Sequence, residues 1–485
     1  MNATRRTVLG ALAATTALST VRLASAQYPG LPVSHTRRDV NTLAADDPII
    51  TTYRNAVAEM QARPDGDPLS WEHQASIHNN FCPHGNWFFL PWHRCYLAQF
   101  EDVIRQVAND PEWTLPYWDW TRNPQIPAPF WGADNALSHP RSAGPATSMP
   151  SEFVGEPVIR QIMAKPTFEE FASFKSLAPY GGTDGGYGQL EQQPHNRVHG
   201  VVGGDMATFM SPRDPIFWLH HCNVDRIWAS WNAAGNANTS DPVLADFTFA
   251  ADQPDHLGDV HASQFVNPDG SPRIFTVNEV YATQQLMYVY DRLEPVPQTN
   301  TVIAMQSLAA QRMAAETLSA NLQRSVAAGV ALETAVAIEP AVVDAVANTG
   351  RIRSLAVPQN SNFAMPRQIS TAKLKIRGLK APAGPDTAFR VFINCDYVGL
   401  ETPINDPHYV GSGAFFMNGV SGEGHHHQGG VDFVLDLTEA LDALRRSGNG
   451  VGGQIRPQVL AITSDGKGTE LAIDGAFDIT VETVG

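Results

Sequence analysis

The sequence predicts a multidomain chain, a mainly α-helical half followed by a C-terminal β-sandwich-like domain. Three observations predict it. A chain of 485 residues exceeds one ordinary core, so two domains with connecting segments are expected. Histidine, tryptophan and phenylalanine crowd into the N-terminal half, where stretches such as WHRCYLAQFEDVIRQ place apolar residues on one helical face. After Pro366 the runs AKLKIRGL, AFRVFINC, VDFVLDL, QVLAITS and AFDITVETV alternate with Gly, Pro and Asp turns, as short strands do.

Texture divides the chain into four parts. Residues 1–26 resemble a twin-arginine export signal: Arg5 and Arg6 in TRRTVLG, a run of small apolar residues, then Ala24-Ser25-Ala26. That route carries folded proteins and suits one that takes up its metal before leaving the cytoplasm. The apolar run is too short to span a bilayer and no later stretch is long enough, so a periplasmic or secreted protein without a membrane anchor is expected. Residues 27–300 hold every motif with ligand-like spacing. Residues 301–368 are Ala-rich, and AMQSLAAQRMAAETLSANLQRSVAAG has the propensity of a helical linker. Residues 369–485 form the β-rich part, with one short helix at TEALDALRR. The formal net charge of −16, with no basic run, argues against a nucleic-acid partner.

Two segments of the second part carry the chemistry. The first, HNNFCPHGNWFFLPWHRCYLAQFE, runs from His78 to Glu101; the second is split between HNRVHG, from His195, and DPIFWLHHCNVDRIW, from Asp214. Two sets of three imidazoles in aromatic sequence suit a buried pair of metal ions with nitrogen ligands, copper foremost. His195 and His199 are four apart and share one face of a helix. A third ring comes from His220 or His221, which face about 100° apart on a helix, so only one readily completes the set. Asp214 and Pro215 read as the cap and first turn of that helix. Asp225, four residues after His221, orients a ligand or serves the helix surface.

The first set is arranged differently. His84 and His93 are nine apart and would face opposite sides of a continuous helix, so the helix starts near Pro91, with His84 and His78 approaching from the preceding loop. Glu101 is either a buried partner of Arg94 or a solvated acid. Cys82, two before His84, is a further ligand, a covalently linked neighbour or an inert buried thiol.

These residues resemble the tyrosinase and polyphenol oxidase family of type-3 copper proteins, which also includes molluscan haemocyanin. The likeness covers H-x(4)-F-L-P-W-H-R-x(2)-L-x(3)-E from His84 to Glu101 and D-P-x-F-W-x(2)-H-x(3)-D from Asp214 to Asp225. It implies a four-helix bundle around a binuclear copper site, with His78, His84 and His93 on one copper and His195, His199 and His221 on the other. His220 becomes a neighbour of the second trio. The C-P-H spacing is similar to that of fungal members, which implies a thioether between Cys82 and His84. Glu191 and Asn196 match the acid and amide that hold a water near the second copper in plant-like members, and that water would take the proton of a monophenol. Phe209 occupies the region of a gate residue over the first copper.

The activity so implied is oxidation of o-diphenols, and of monophenols, to o-quinones with dioxygen. Phenolic small molecules are the substrates, a copper chaperone is a candidate partner, and the oligomeric state stays open. A haemocyanin-like oxygen carrier is the alternative. A zinc hydrolase fits less well, because six histidines without a ligating carboxylate are unusual for a catalytic zinc pair. The stretch YVGSGAFFMNGVSGEGHHH with DFVLDLTEAL loosely resembles the C-terminal domain of plant polyphenol oxidases, which implies a latent enzyme released by cleavage in the linker. His425, His426 and His427 either pass copper inward or belong to a plain Gly-flanked loop. Trp87, Phe88, Phe89, Trp92, Phe217 and Trp218 are expected as packing around the helices. Cys95 and Cys222 lie near the same core, their pairing undecided by spacing, and Cys395 lies in a β-run.

Overall fold

The computed structural model describes residues 34–179, 185–250, 255, 264–295, 312–354, 369–382, 386–416 and 430–484. The signal-like segment 1–26 and His425, His426 and His427 lie outside the described residues. No helix among the described residues is long and apolar enough to cross a membrane.

Several helices of the N-terminal half start where a side chain satisfies one of their first amides. In α1 (Pro48–Ala62) the Asp47 carboxylate accepts from the Ile49 N–H at 2.9 Å, and proline takes the first position. In α2 (Trp71–Phe81) the Ser70 hydroxyl accepts from the His73 N–H at 3.1 Å. Its buried residues include Trp71, Gln74, Ala75, His78 and Phe81, a three-and-four spacing that continues to the end of the segment. His78 therefore sits in the last turn of a helix and not in a loop, as the sequence reading had it; the Ser70 cap and this apolar stripe are the reason.

The long helix α3 (Phe89–Ala108) begins before Pro91 and ends at Asn109, which takes the left-handed conformation with φ 50°. Proline is tolerated there because the first amides of a helix have no intrahelical acceptor. A wide π-type turn, Glu191–His195, accommodates Pro194 and runs straight into α4 (Asn196–Val202). Helix α5 (Ile216–Ala233) starts one residue later than Pro215, yet Asp214 still caps it, accepting from the Ile216 N–H at 3.1 Å while Arg141 grips its carboxylate at 2.7 and 2.6 Å.

A buried ionic network ties α3 to α5. Arg94 donates to Asp225 at 2.5 Å, and the Tyr288 and Tyr290 hydroxyls donate to the same carboxylate at 2.6 and 2.5 Å. Glu101 is buried and takes Arg37 at 2.9 Å and the Leu115 N–H at 2.7 Å; its partner is thus Arg37 and not Arg94. The two guanidiniums also lie over rings, Arg37 at 3.7 Å from Tyr288 and Arg94 at 3.6 Å from Trp228. Asp225 thus serves the joint between helices.

The C-terminal half holds two four-stranded antiparallel sheets. With strands β1 (Arg312–Val326), β2 (Leu332–Glu333), β3 (Ile369–Lys380), β4 (Thr387–Ile393), β5 (Tyr409–Ala414), β6 (Val431–Asp436), β7 (Pro457–Thr463) and β8 (Leu471–Val484), their orders are β6-β3-β8-β1 and β5-β4-β7-β2. Alternate residues of both sheets, such as Leu374 and Ile376, Phe477 and Ile479, Phe389 and Val391, share one apolar core. Helices α6 (Pro340–Ser354) and α7 (Thr438–Arg446) pack together beside them, the second where TEALDALRR predicted it.

One expectation fails in the linker. Residues 312–326 are strand β1, paired with β8 from Arg312↔Val484 to Val326↔Leu471, and not helix. Leu318 and Leu322 are four apart, which suits a helix face and a strand face equally, and Ala320 between them completes the strand face on the shared core. Tertiary pairing overrides the alanine propensity. Helix does occur later in the linker, as α6.

Replacing Asp225 by alanine would leave Arg94 and two tyrosine hydroxyls buried without their acceptor. We expect a loss of about 3–5 kcal/mol in urea unfolding followed by near-ultraviolet circular dichroism, and a smaller loss for Asp225→Asn.

Candidate metal centre

Seven imidazoles meet between these helices, with His78 from α2, His84 from the turn before α3, His93 from α3, His195 and His199 from the π-type turn and α4, and His220 and His221 from α5. His78, His84 and His93 form a nearly equilateral triangle, with ring centroids 5.5, 5.4 and 5.4 Å apart. His195, His199 and His221 form a second, at 4.6, 4.9 and 5.4 Å. The trios adjoin: His93 stacks on His221 at 4.2 Å, and His84 on His195 at 5.5 Å. His220 is 5.4, 4.9 and 5.1 Å from the three rings of the second trio, so distance alone does not exclude it. Position favours His221, which lies between the trios beside His78 and His93, whereas His220 faces Trp120 at 6.3 Å.

The hydrogen bonds show which nitrogens are available. The Nδ1 atoms of His78, His93 and His199 donate to the carbonyls of Phe209, Phe89 and Met206 at 2.7, 2.8 and 2.6 Å. His195 Nδ1 donates to Asn196 Oδ1 at 2.8 Å. A nitrogen bonded to a carbonyl oxygen must carry the proton, which leaves Nε2 with its lone pair. The Nε2 atoms of His84, His93 and His195 are buried with no hydrogen-bond partner among the described residues, and those of His199 and His221 approach to 3.2 Å. Buried polar atoms are almost always satisfied, so orphans aimed at one place fit a metal pair. Burial first, and then neighbouring imidazoles, hold His84, His195 and His221 well below the usual histidine range, and burial lowers His93 and His199 to about 3. Neutral rings are what metal ligation requires.

Aromatic residues exclude water from this cluster. Phe89 lies 4.7 Å from both His93 and His195, and Phe217 lies 4.3 Å from His221. Phe209 sits 6.3 and 5.9 Å from His78 and His84. The C-terminal half adds a ring of its own to this wall. Phe416, just beyond β5, places its ring 4.6 Å from His84, 4.7 Å from His199 and 5.8 Å from Phe209. Two residues earlier, the Ala414 carbonyl accepts from Asn196 Nδ2 at 2.8 Å. Phe416 is a functional residue that the sequence patterns above do not pick out; its available signal is a pair of large aromatics leaving a strand for a Gly-rich stretch, in GAFFMNG.

Glu191 and Asn196 are both at the site. Burial pushes the Glu191 carboxyl up to about 8, despite hydrogen bonds from Ser173 and, at 2.9 Å, from the Gly85 N–H. Its oxygen lies within 4.8 Å of ring nitrogens of His84 and His195. Cys82 Sγ is 3.5 Å from His84 Nδ1. All four cysteines are free and buried, so Cys95 and Cys222 do not pair.

Two adjoining trios of neutral imidazoles in a dry helical core define a protein built for a pair of metal ions. The common central domain of tyrosinase matches residues 67–179 and 150–234. The chain is 34% identical over 227 residues to a tyrosinase of Streptomyces glaucescens, covering 40% of this chain and 81% of that protein. It is 31% identical over 317 residues to tyrosinase HcTyr1 of a Hahella species, covering 54% and 65%. The chain belongs to the tyrosinase family, a binuclear copper family whose metal the histidine cluster fits. In fold it is similar to the latent apple tyrosinase, with a TM-score of 0.63, 21% identity and coverage of 94% of this chain and 98% of that one. The match spans about half the length of several chloroplastic polyphenol oxidases.

The depressed histidines set a pH dependence for the metal-free chain. Unfolded histidine titrates near about 6.5, so as pH falls below that value the unfolded chain binds protons that the folded core refuses down to about 3. Stability is full above the unfolded value and falls with acid, by up to about 1.4 kcal/mol per pH unit for each such ring. Calorimetric melting of the apo chain from pH 8 to pH 5 should show a steepening loss, and a flat profile would mean that the rings are not buried as described.

Proposed function

We propose that this chain is a type-3 copper oxidase that converts o-diphenols, and monophenols, to o-quinones with dioxygen, and that it is latent while its C-terminal half covers the site. The observation that carries this is the double imidazole trio with the Phe416 ring lodged against it. His78, His84 and His93 would hold one copper, and His195, His199 and His221 the other, within a bundle formed by α2, α3, α4 and α5. Copper, when bound, supplies the redox chemistry, with dioxygen as the electron acceptor.

The protein's own residues do the rest. Backbone carbonyls orient the rings through Nδ1, an outer-sphere arrangement that fixes tautomer and direction. Phe89 and Phe217 keep water away from the cluster. Phe416 occupies the place an aromatic substrate would take, since it is the one described ring from the C-terminal half that faces both trios. Asn196 steadies His195, and with the C-terminal half displaced its amide is released to hold a water that Glu191 helps to orient for a monophenol proton. Phe209 would then form the wall over the first trio. The short approach of Cys82 to His84 supports a thioether, whose formation removes two hydrogens with dioxygen as oxidant. Export by the TRRTVLG leader would place the protein in the periplasm or outside the cell.

Two measurements test the reading. Residues 1–294 reach Glu294, the last hydrogen-bonded position of the N-terminal half among the described residues, and cleavage before Arg312 would leave β1 paired with β8, a pairing that supports that region of the linker as the site. With about two coppers per chain, the shortened protein should oxidise a catechol at least about tenfold faster than the full chain, and Phe416→Ala in the full chain should gain much of that rate. No turnover from the copper-loaded shortened protein would reject the oxidase and leave the oxygen carrier. An intact mass two hydrogens below that of the reduced polypeptide, lost in Cys82→Ser, would establish the thioether.

A further inference from the structure

Tyr187 belongs by sequence to the N-terminal half, yet its side chain is part of the apolar core of the C-terminal half. The ring stacks on Phe433 at 5.3 Å and 27°. Its backbone N–H donates to the Asp432 carbonyl at 3.2 Å, and Tyr187 forms an isolated parallel bridge with Phe433, so the segment touches the outer edge of β6 at one point of main-chain pairing. Lys375, on the neighbouring strand β3, donates to the Gly185 carbonyl at 3.1 Å and pairs with Asp432 at 3.1 Å. Gln189 and Gln192 both donate to the Val434 carbonyl at 3.1 Å.

The same segment grips the turn that carries His84. The Gly186 N–H donates to the Gly85 carbonyl at 2.7 Å. Gly185, with φ 127°, comes so close that a Cβ there would stand 2.7 Å from the Gly85 oxygen, and the Tyr187 ring stands on the open side of Gly85, where a Cβ on that glycine would meet it at 3.7 Å. On the other side the Gly85 N–H donates to Glu191. Phe433, the Gly186-Tyr187 segment, Gly85 and His84 thus form a continuous link from the C-terminal sheet to one imidazole of the first trio, with a ring stack at one end and a backbone hydrogen bond in the middle.

We infer that the C-terminal half is a clamp as well as a cover: through Tyr187 it holds the Gly85 turn, and so His84, and loss of the Tyr187 contact loosens the metal of the first trio while leaving that of the second in place. The inference rests on the metal-ligand assignment and the shielding proposed above. Phe416 and Tyr187 then have separable roles, the former blocking access and the latter fixing a ligand. The second trio is joined to the C-terminal half by a different route, in which His195 Nδ1 donates to Asn196 and the Asn196 amide donates to the Ala414 carbonyl, while His199 is held by the Met206 carbonyl of its own half.

The test is copper release from the full-length, copper-loaded protein into excess chelator, in the limit where the rate no longer depends on chelator concentration. Tyr187→Ala should lose one of the two coppers about tenfold faster than the parent, the size expected when a residue supporting a ligand is removed. Phe416→Ala should release both at close to the parent rate. Hydrogen exchange at Gly85 and Gly186 should rise in Tyr187→Ala and not in Phe416→Ala. Release as fast from Phe416→Ala as from Tyr187→Ala would show that access and not clamping protects the copper, and parent-like release from Tyr187→Ala would equally overturn the clamp. If Tyr187→Ala fails to melt cooperatively, Lys375→Ala, a partly exposed residue holding the same segment, takes its place with the same expected direction. Turnover is not measured, so failure of the clamp is distinct from failure of the oxidase reading, which shows as a copper-loaded shortened protein inert towards phenols.

Discussion

The constraint on which the rest of this structure depends is the burial of imidazole nitrogens that have no partner among the described residues. An unsatisfied buried polar atom costs on the order of 1–3 kcal/mol, and several such atoms converge here within one buried cluster. A fold tolerates that only where something else will complete the set. The Nδ1 atoms show the other half of the arrangement, since each of four rings spends that nitrogen on an oxygen close in sequence or in space, at Phe89, Asn196, Met206 and Phe209. The protein thereby decides in advance which nitrogen faces inward.

Holding the rings in register requires that the helices not slide. The network of Arg37, Arg94, Glu101 and Asp225 with Tyr288 and Tyr290 lies one residue from His93 and four from His221, and it joins α3 to α5. Buried ion pairs contribute little net stability compared with apolar packing, but their geometry is unforgiving, which suits a joint that must keep two imidazoles stacked at 4.2 Å. The second half of the chain adds its own constraints from outside. It reaches the cluster with the Phe416 ring, the Ala414 carbonyl and the edge of β6, three contacts that fall on different parts of the site.

Much of the site was legible because its signals are local. His195 and His199 at four apart, the Asp214 cap and the adjacent His220 and His221 depend only on helix geometry, and the structure places them accordingly. The β-runs of residues 369–485 were equally plain, because alternation is a property of the strand itself. Other features misled or stayed hidden. Alanine and a spacing of four in residues 312–326 pointed to helix, and the pairing with β8 that decides otherwise comes from residues about 150 positions away. Glu101 and Arg94 seemed natural partners on one helix, yet each pairs across to a different element, with Arg37 and Asp225.

By itself, then, the sequence determined the chemistry available to this protein: six or seven imidazoles, their helical spacing, the neighbouring thiol and the aromatic surroundings. These follow from residue type and short-range geometry, which a linear reading can reach. Only the tertiary structure decided how that chemistry is governed. It set His221 between the two trios with His220 behind it, drew Asn196 onto the Ala414 carbonyl, seated Phe416 over the cluster and sank Tyr187 into the core of the other half. Each of these joins residues far apart in the chain, and such contacts depend on how whole faces pack, which no local pattern encodes.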